Sequence, residues 1–218
     1  MNVLVTSGPT REPIDSVRFI SNLSSGRTGV EICEALTARG FSVTQVRGVD
    51  SAVAKGAARR EAFSDHTSLD AILRRLLADS DYGVVIHAAA VGDFSVAESA
   101  PEAKLVSGQE LVLKLRPTPK LIDRIRGYAS NPDLVLIGFK LTHDPDPEAQ
   151  ARAARELLQR SHARYVVQND VATLANEAHH VFVIHESGSR RPRRCIGRAR
   201  LAATLVTLLE ESSGRSKR

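Results

Sequence analysis

The run Arg18 to Gly29, R-F-I-S-N-L-S-S-G-R-T-G, gathers residue types that can hold an anion. Ser24, Ser25 and Gly26 would present small hydroxyls and open backbone N–H groups at a helix N-terminus, where unpaired donors and the helix dipole favour phosphate. A capped helix after a loop accounts for the two serines and the glycine as well, because glycine-rich turns are weak motifs. Arg18, Asn22 and Arg27 tilt the reading towards anion binding, since a cap requires none of them. A second chemical candidate is Asp93, which follows the apolar run Tyr82 to Ala90. Ligands of doubly wound sheets bind beyond the carboxyl ends of the strands, so an acid there is better placed for function than one at random. A turn or helix-capping aspartate is the competing reading. His87, inside the same run, has no acid or cysteine beside it to form a catalytic pair and reads as a core or strand-end histidine.

These residues need strand ends and helix starts to carry them. Asn2 to Thr6 is a short apolar run entering Ser7-Gly8-Pro9-Thr10, the pattern of a buried strand reaching a tight turn. Val30, Ile32, Cys33, Leu36 and Thr37 then recur at helical spacing up to Gly40. Phe41 to Val46 alternates as a second strand, Ser51 to Ser64 reads as a polar connection, and Thr67 to Asp79 carries a helical apolar stripe. Tyr82 to Ala90 has the continuous apolar character of a central parallel strand buried on both faces. Lys104 to Val106 and Glu110 to Leu115, on either side of Ser107-Gly108, predict a hairpin: a flap or dimer arm over about 101–117. Pro119 can open a helix over Lys120 to Tyr128. Leu134 to Phe139 and Arg164 to Val167 are further strands around a helix from Glu148 to Ser161. His180 to His185 and Arg193 to Ile196 form an antiparallel edge hairpin, and Arg198 to Glu211 the closing helix. The fold class is therefore α/β: a Rossmann-like, mostly parallel sheet flanked by helices, with an inserted antiparallel hairpin or flap and a C-terminal antiparallel extension. Residues 1–211 are expected to form a single domain, with 212–218 a frayed basic tail.

Composition narrows the function. A chain of 218 residues suits one sizeable core. No apolar run approaches the ~20 residues of a membrane span, and Met1 leads directly into the first strand without a signal-peptide pattern, so a cytoplasmic protein is expected. Cys33 and Cys195 have neither CxxC spacing nor a Cys/His cluster, which implies reduced structural thiols and no structural metal. The formal charge of +5 sits mainly in Arg190 to Arg200 and Arg215 to Arg218. Aromatic residues are only 4% and do not interleave with the basic runs, which argues against nucleic acid; an anionic small substrate or a solvated basic face explains the charge.

The ordered blocks G-P-T-R-E-P-I-D-S-V-R-F-I-S-N-L-S-S-G (Gly8 to Gly26), A-A-A-V-G-D-F (Ala88 to Phe94), K-L-V-S (Lys104 to Ser107), P-T-P-K (Pro117 to Lys120), I-G-F-K (Ile137 to Lys140) and Q-N-D-V (Gln168 to Val171) resemble the phosphopantothenoylcysteine synthetase family. The resemblance spans nearly the whole chain and is nearest to stand-alone bacterial forms. It implies a ligase domain that activates 4'-phosphopantothenate with a nucleoside triphosphate, CTP or in eukaryotic members ATP, as an acyl-nucleotidylate. Cysteine's amine then displaces the nucleotide. Such chemistry needs stabilisation of phosphoryl transfer, placement of two substrates and Mg²⁺ on the triphosphate, but no enzyme nucleophile.

By the same resemblance, Asn22 and Lys104 are the catalytic residues: the first handles the acyl-nucleotidylate and the second approaches the α-phosphate from the flap. Ser24, Ser25, Gly26, Ala88, Ala89, Ala90, Asp93, Pro119, Lys120 and Phe139 are implied nucleotide contacts, with Asp93 serving the ribose or the Mg²⁺. Arg18, Asn22, Asn169 and Asp170 are implied on the substrate side. A homodimer is expected, with no flavin in this chain and a separate flavin-dependent decarboxylase as its pathway neighbour. Three departures stand out. The flap is K-L-V-S rather than lysine-rich; Lys120 replaces a possible acidic metal ligand; and the helix before Asn169 lacks the family's lysines, for which Arg155 and Arg160 are substitutes. The competing functions are a short-chain-type NAD(P)-binding oxidoreductase and a non-catalytic nucleotide-binding homologue. Against the first, the chain has no G-x-G-x-x-G after the first strand, no acid closing the second, and no Tyr-x-x-x-Lys at Tyr82, Tyr128 or Tyr165.

Overall fold

The structure, a computed structural model, describes residues 1–215 apart from 101, 107, 109, 175, 177 and 178. The chain opens with β1 (Asn2–Ser7), followed by a small antiparallel ribbon of β2 (Arg11–Pro13) and β3 (Phe19–Ser21). Helix α1 (Arg27–Ala38) leads to β4 (Ser42–Gly48) and β5 (Arg59–Phe63), and α2 (His66–Asp79) returns the chain to β6 (Val84–His87). A second ribbon pairs β7 (Phe94–Val96) with β8 (Leu115–Pro117). A 3-10 turn (Leu121–Asp123) and the short α3 (Ile125–Tyr128) precede β9 (Val135–Thr142), α4 (Pro147–Ser161) and β10 (Tyr165–Asp170). The chain ends with α5 (Val171–Leu174), β11 (Val181–Glu186), β12 (Arg193–Ile196) and α6 (Arg198–Arg215).

Eight strands form one sheet in the order β12-β11-β10-β9-β6-β1-β4-β5. The six from β10 to β5 are parallel; β11 and β12 add to the edge antiparallel. Numbered among themselves, the parallel strands run 6-5-4-1-2-3, the doubly wound order whose direction reverses between β1 and β6. Side-chain alternation sends Val3 and Val5 to one face, where α1 and α6 cover them through Ile32, Leu36, Leu201 and Leu205. Leu4 faces the other way, into a core with Leu73, Leu77, Ile125 and Leu157. Both faces of the central strands are thus buried, as their uninterrupted apolar runs require.

Four local expectations change. Arg59–Phe63, inside the expected polar connection, is the outermost parallel strand; its sequence R-R-E-A-F carries the charges suited to a sheet edge. The inserted hairpin is real, but its strands are Phe94–Val96 and Leu115–Pro117. Lys104 to Val106 forms no strand, and Glu110 to Leu115 contributes only its last residue, because the backbone hydrogen bond from Thr118 N to Asp93 O and that from Ala97 N to Lys114 O set the register closer to the base. Ser107 of the expected turn lies outside the described residues. In place of a helix over Lys120 to Tyr128, the chain makes a 3-10 turn and then a single helical turn. The last helix continues to Arg215 rather than ending at Glu211, and the expected frayed tail beyond it, 216–218, lies outside the described residues.

Candidate functional site

At the point where strand order reverses, the loops after β1 and β6 are knitted together. Ala88 N donates to Thr6 O at 3.2 Å, Ala90 N to Gly8 O at 2.9 Å and Thr10 N back to Ala90 O at 3.2 Å. Side chains continue the seam: Thr6 Oγ1 accepts Ala89 N–H at 3.1 Å, and Thr10 Oγ1 accepts Gly92 N–H at 2.9 Å. Thr6 Oγ1 also meets His87 Nδ1 at 3.0 Å. Burial pushes the His87 imidazole down to about 4, so it is neutral at physiological pH and serves as a polar floor.

Above this seam lies a cleft of about 1170 Å³. One wall is the stretch Asn22 to Gly29 and the start of α1; the other is Ala88 to Asp93, with Thr118 to Ile122 and Phe139 beyond it. Gly26 enters α1 at φ 75°, a left-handed conformation that glycine adopts without steric cost. Gly29 allows the first turn to press against β1, since a Cβ there would lie 2.4 Å from Ser7 Cβ. Gly26 offers α1 no capping side chain, and Ser25 Oγ accepts the Arg27 N–H at 3.5 Å, whereas Asp65 with Ser68 forms a capping box on α2 and Asp146 caps α4. The first turn of α1 therefore keeps amides that its own helix does not use, facing a cleft lined by Thr28 and Gly29.

The cleft brings together Asn22, Ser24, Ser25, Gly26, Ala88, Ala89, Ala90, Asp93, Pro119, Lys120, Phe139 and Asn169. Asn22 Nδ2 donates to Val91 O at 3.1 Å, tying the two walls across the cleft. Asp93 is ion-paired with Lys120 on the rim. Asn169 Nδ2 lies 3.2 Å from His180 Nε2.

Three expected residues stand outside the cleft lining. Asp170 is buried, accepting hydrogen bonds from Thr142 Oγ1 at 2.7 Å, Ala172 N at 2.9 Å and Asp144 N at 3.3 Å. Burial raises its carboxyl, but these donors outweigh that and hold it below the usual carboxylate range. Arg18 is paired with Asp15 and reaches Leu105 O. Lys104 lies next to that contact, exposed on the arm. Of the substitutes for the missing helix lysines, Arg160 lines the cleft and pairs with Asp123 at 3.0 Å, while Arg155 pairs with Glu148. Sequence reading missed Thr6, Thr10 and Asp15. The only signal for the threonines was hydroxyl residues at the end of an apolar strand, and for Asp15 its i,i+3 spacing to Arg18. Cys33, buried, has its thiol pushed up to about 12 and is chemically inert.

A doubly wound α/β sheet with its cleft at the switch point, walled by the start of α1, defines a protein of the Rossmann-like α/β class. Within that class, residues 1–212 match the DNA/pantothenate metabolism flavoprotein C-terminal domain, and the chain belongs to this family. It is 40% identical over 182 residues, 84% of the chain, to the coenzyme A biosynthesis bifunctional protein CoaBC of Thermococcus kodakarensis, covering 44% of that protein. It is 34% identical over 173 residues, 78% of the chain, to the protein of the same name from Methanocaldococcus jannaschii, covering 40% of it. The chain thus spans less than half the length of these curated relatives. The crystal structure of the DNA/pantothenate metabolism flavoprotein from Streptococcus pneumoniae superposes with a TM-score of 0.86 at 26% identity, covering 97% of this chain and 99% of that one.

Proposed function

We propose that this chain is a phosphopantothenate–cysteine ligase of coenzyme A biosynthesis, using CTP as its nucleotide with ATP as the second candidate. One observation carries the reading: the block ending at Gly26 and the block A-A-A-V-G-D-F, far apart in sequence, face each other across one cleft at the sheet's switch point. Family membership and the coenzyme A role named for the bifunctional relatives support it.

In the first step a carboxylate oxygen of 4'-phosphopantothenate attacks the α-phosphorus of the triphosphate. The bond from that phosphorus to the bridging oxygen breaks, and pyrophosphate leaves. In the second step the cysteine amine attacks the activated carbonyl, an amide forms, CMP leaves and the amine proton passes to solvent. Ser24, Ser25 and Gly26 bind phosphate oxygens with the open amides of α1. Ala88, Ala89, Ala90 and Phe139 border the base, and Asp93, Pro119 and Lys120 the ribose and triphosphate rim. Asn22 offers its amide to the activated carbonyl or phosphate, and Lys104 supplies positive charge for the first step. Asn169 lies at the substrate end; Arg18 and Asp170 act on loops that bound the site.

Among the described residues no cluster of three or more His, Cys, Asp or Glu could hold a metal ion, and Asp93 is engaged by Lys120. Asp93 is the nearby carboxylate that would hold Mg²⁺ arriving on the triphosphate. When bound, Mg²⁺ would neutralise triphosphate charge.

A homodimer forming through the arm is part of the proposal, supported by Phe94, Val106, Leu111, Val112 and Leu115 being exposed together on it. A cytoplasmic site of action completes it; no described helix is long and apolar enough to cross a membrane. The test is a panel of CTP, ATP and NADPH in one assay. Pyrophosphate release is expected only when phosphopantothenate, triphosphate and Mg²⁺ are all present. Absence of turnover with either triphosphate at millimolar concentration would overturn the ligase reading, and NADPH oxidation would favour the oxidoreductase.

A further inference from the structure

The Asp15 carboxylate is fully buried although it lies in a short surface loop between β2 and β3. Its Oδ1 accepts the N–H groups of Val17 at 2.9 Å and Arg18 at 2.8 Å, which is all a turn-forming aspartate requires. Its Oδ2 has a separate use: it accepts Arg18 Nε–H at 2.9 Å, pairs with Arg18 Nη2, and accepts Leu105 N–H at 3.1 Å. Arg18 Nη2 in turn donates to Leu105 O at 2.8 Å. Both backbone groups of Leu105 are therefore held by one ion pair that is remote in sequence. Two backbone bonds flank the grip, Ala100 N to Ile14 O at 2.9 Å and Ser16 N to Ala103 O at 3.0 Å.

A buried carboxylate with every acceptor position engaged is costly to assemble, and among the described residues the remote element this one holds is the residue following Lys104. We infer that Asp15 and Arg18 form a clamp on the Leu105 peptide and act as positioning residues for Lys104. The inference rests on the ligase reading for the role of Lys104, but not for the clamp itself. Arg18 is thereby placed one step away from the substrate: it fixes the backbone from which the Lys104 ammonium extends. Because Arg18 is a planar fork, it can bind Asp15 and the Leu105 carbonyl at once; a lysine would have to choose between them.

Two readouts test this on the full chain. Trypsin cuts after Lys104 only if the Lys104–Leu105 peptide can leave its bonds and enter the protease. Asp15→Asn and Arg18→Gln are expected to speed that cut at least tenfold relative to cuts elsewhere on the arm, such as after Lys114. In the ligase assay both variants are expected to lower kcat for pyrophosphate release about tenfold or more with KM for the triphosphate changed less than threefold. Combining the two should add little to either alone, since they serve one clamp. Arg18→Lys, which keeps the charge and endangers folding least, is expected to fall between wild type and Arg18→Gln in both readouts. Wild-type trypsin rates in all three variants would overturn the clamp. Faster cutting with unchanged kcat would overturn the positioning of Lys104 by it. An inactive wild type would overturn the ligase reading and the positioning claim together, while the trypsin result would still decide the clamp.

Discussion

The two halves of the proposed machinery are held in opposite ways. The cleft walls rest on the ends of buried parallel strands: Thr6, Thr10 and His87 are buried and hydrogen-bonded across the β1–β6 seam, and buried Ser7 accepts from Gln45 of β4. Among its described residues, the arm from β7 to β8 has no core of its own: Val106 is 91% exposed, Val112 83% and Phe94 52%. It is attached by polar contacts instead, Thr118 to the Gly92 and Asp93 carbonyls at one end and the Asp15–Arg18 clamp at the other. In the proposed site, a cleft wall fixed by packing is thus paired with an arm anchored by polar contacts. The cradle's geometry is set by packing and the arm's by a few hydrogen bonds. Changes in the cradle should therefore alter chemistry and stability together, and changes on the arm chemistry or assembly alone.

The largest effect expected is on the rate. Asn22→Asp should slow overall turnover by about 10²–10³, the range found when a single preorganised donor is lost, and the acyl-nucleotidylate should accumulate or leak. Lys104→Gln should lower turnover by a similar factor but suppress formation of that intermediate. Rapid-quench analysis of nucleotide-labelled species separates the two, and wild-type rates in both variants would refute the assignments. Next in size is an acid effect on the cradle. His87 is depressed from 6.5 to about 4 in the fold, while the unfolded chain takes up a proton below about 6.5. Its stabilising contribution is complete above pH 6.5 and declines as pH falls; by pH 4 about 3 kcal/mol is lost. Urea unfolding of wild type and His87→Gln as a function of pH isolates the term: the two curves should converge as pH falls through that window. Parallel curves would show that His87 is not held neutral.

That contrast also explains what could be read from the amino acids alone. Buried parallel strands announce themselves because both faces must be apolar, so Asn2–Ser7 and Val84–His87 were legible as runs, and with them the cleft at their carboxyl ends. Arg59–Phe63 was not, since an edge strand with charged residues lacks that signature. The alternation of Glu110 to Leu115 suggested a strand, yet Leu111 is half exposed and Val112 mostly exposed, and alternation without a face to bury does not fix a register. Family motifs pointed to Asn22, Ser24 and Asp93, which do line the cleft. They pointed equally to Arg18, whose partner Asp15 lies in the same block but whose target, Leu105, is visible only once the chain has folded back on itself.

Packing of α1 on β1 offers a smaller test of the rigid half. A methyl group on residue 29 would sit 2.4 Å from Ser7 Cβ, against backbone that the sheet holds in place. Gly29→Ala should therefore cost about 1–3 kcal/mol, the usual range for overpacking, measured as a lower urea midpoint with an unchanged slope. Because the same shift moves the first turn of α1, weaker triphosphate binding should accompany it. A fully stable variant with intact binding would mean that the cradle is softer than its packing implies.

The smallest change in stability is expected on the arm. Val112 is exposed and contributes to no described core cluster, so Val112→Ser should change folding stability by no more than about 0.5 kcal/mol. Self-association should respond differently. If the arm's apolar side chains meet a second copy, removing one from the patch weakens the dimer, and light scattering over a dilution series should show the molar mass falling towards 23.6 kDa at higher concentration than for wild type. An unchanged dilution curve would remove Val112 from the interface. A stability loss as large as that of Gly29→Ala would break the comparison itself, because it would mean that the arm is packed on the domain rather than held to it by hydrogen bonds.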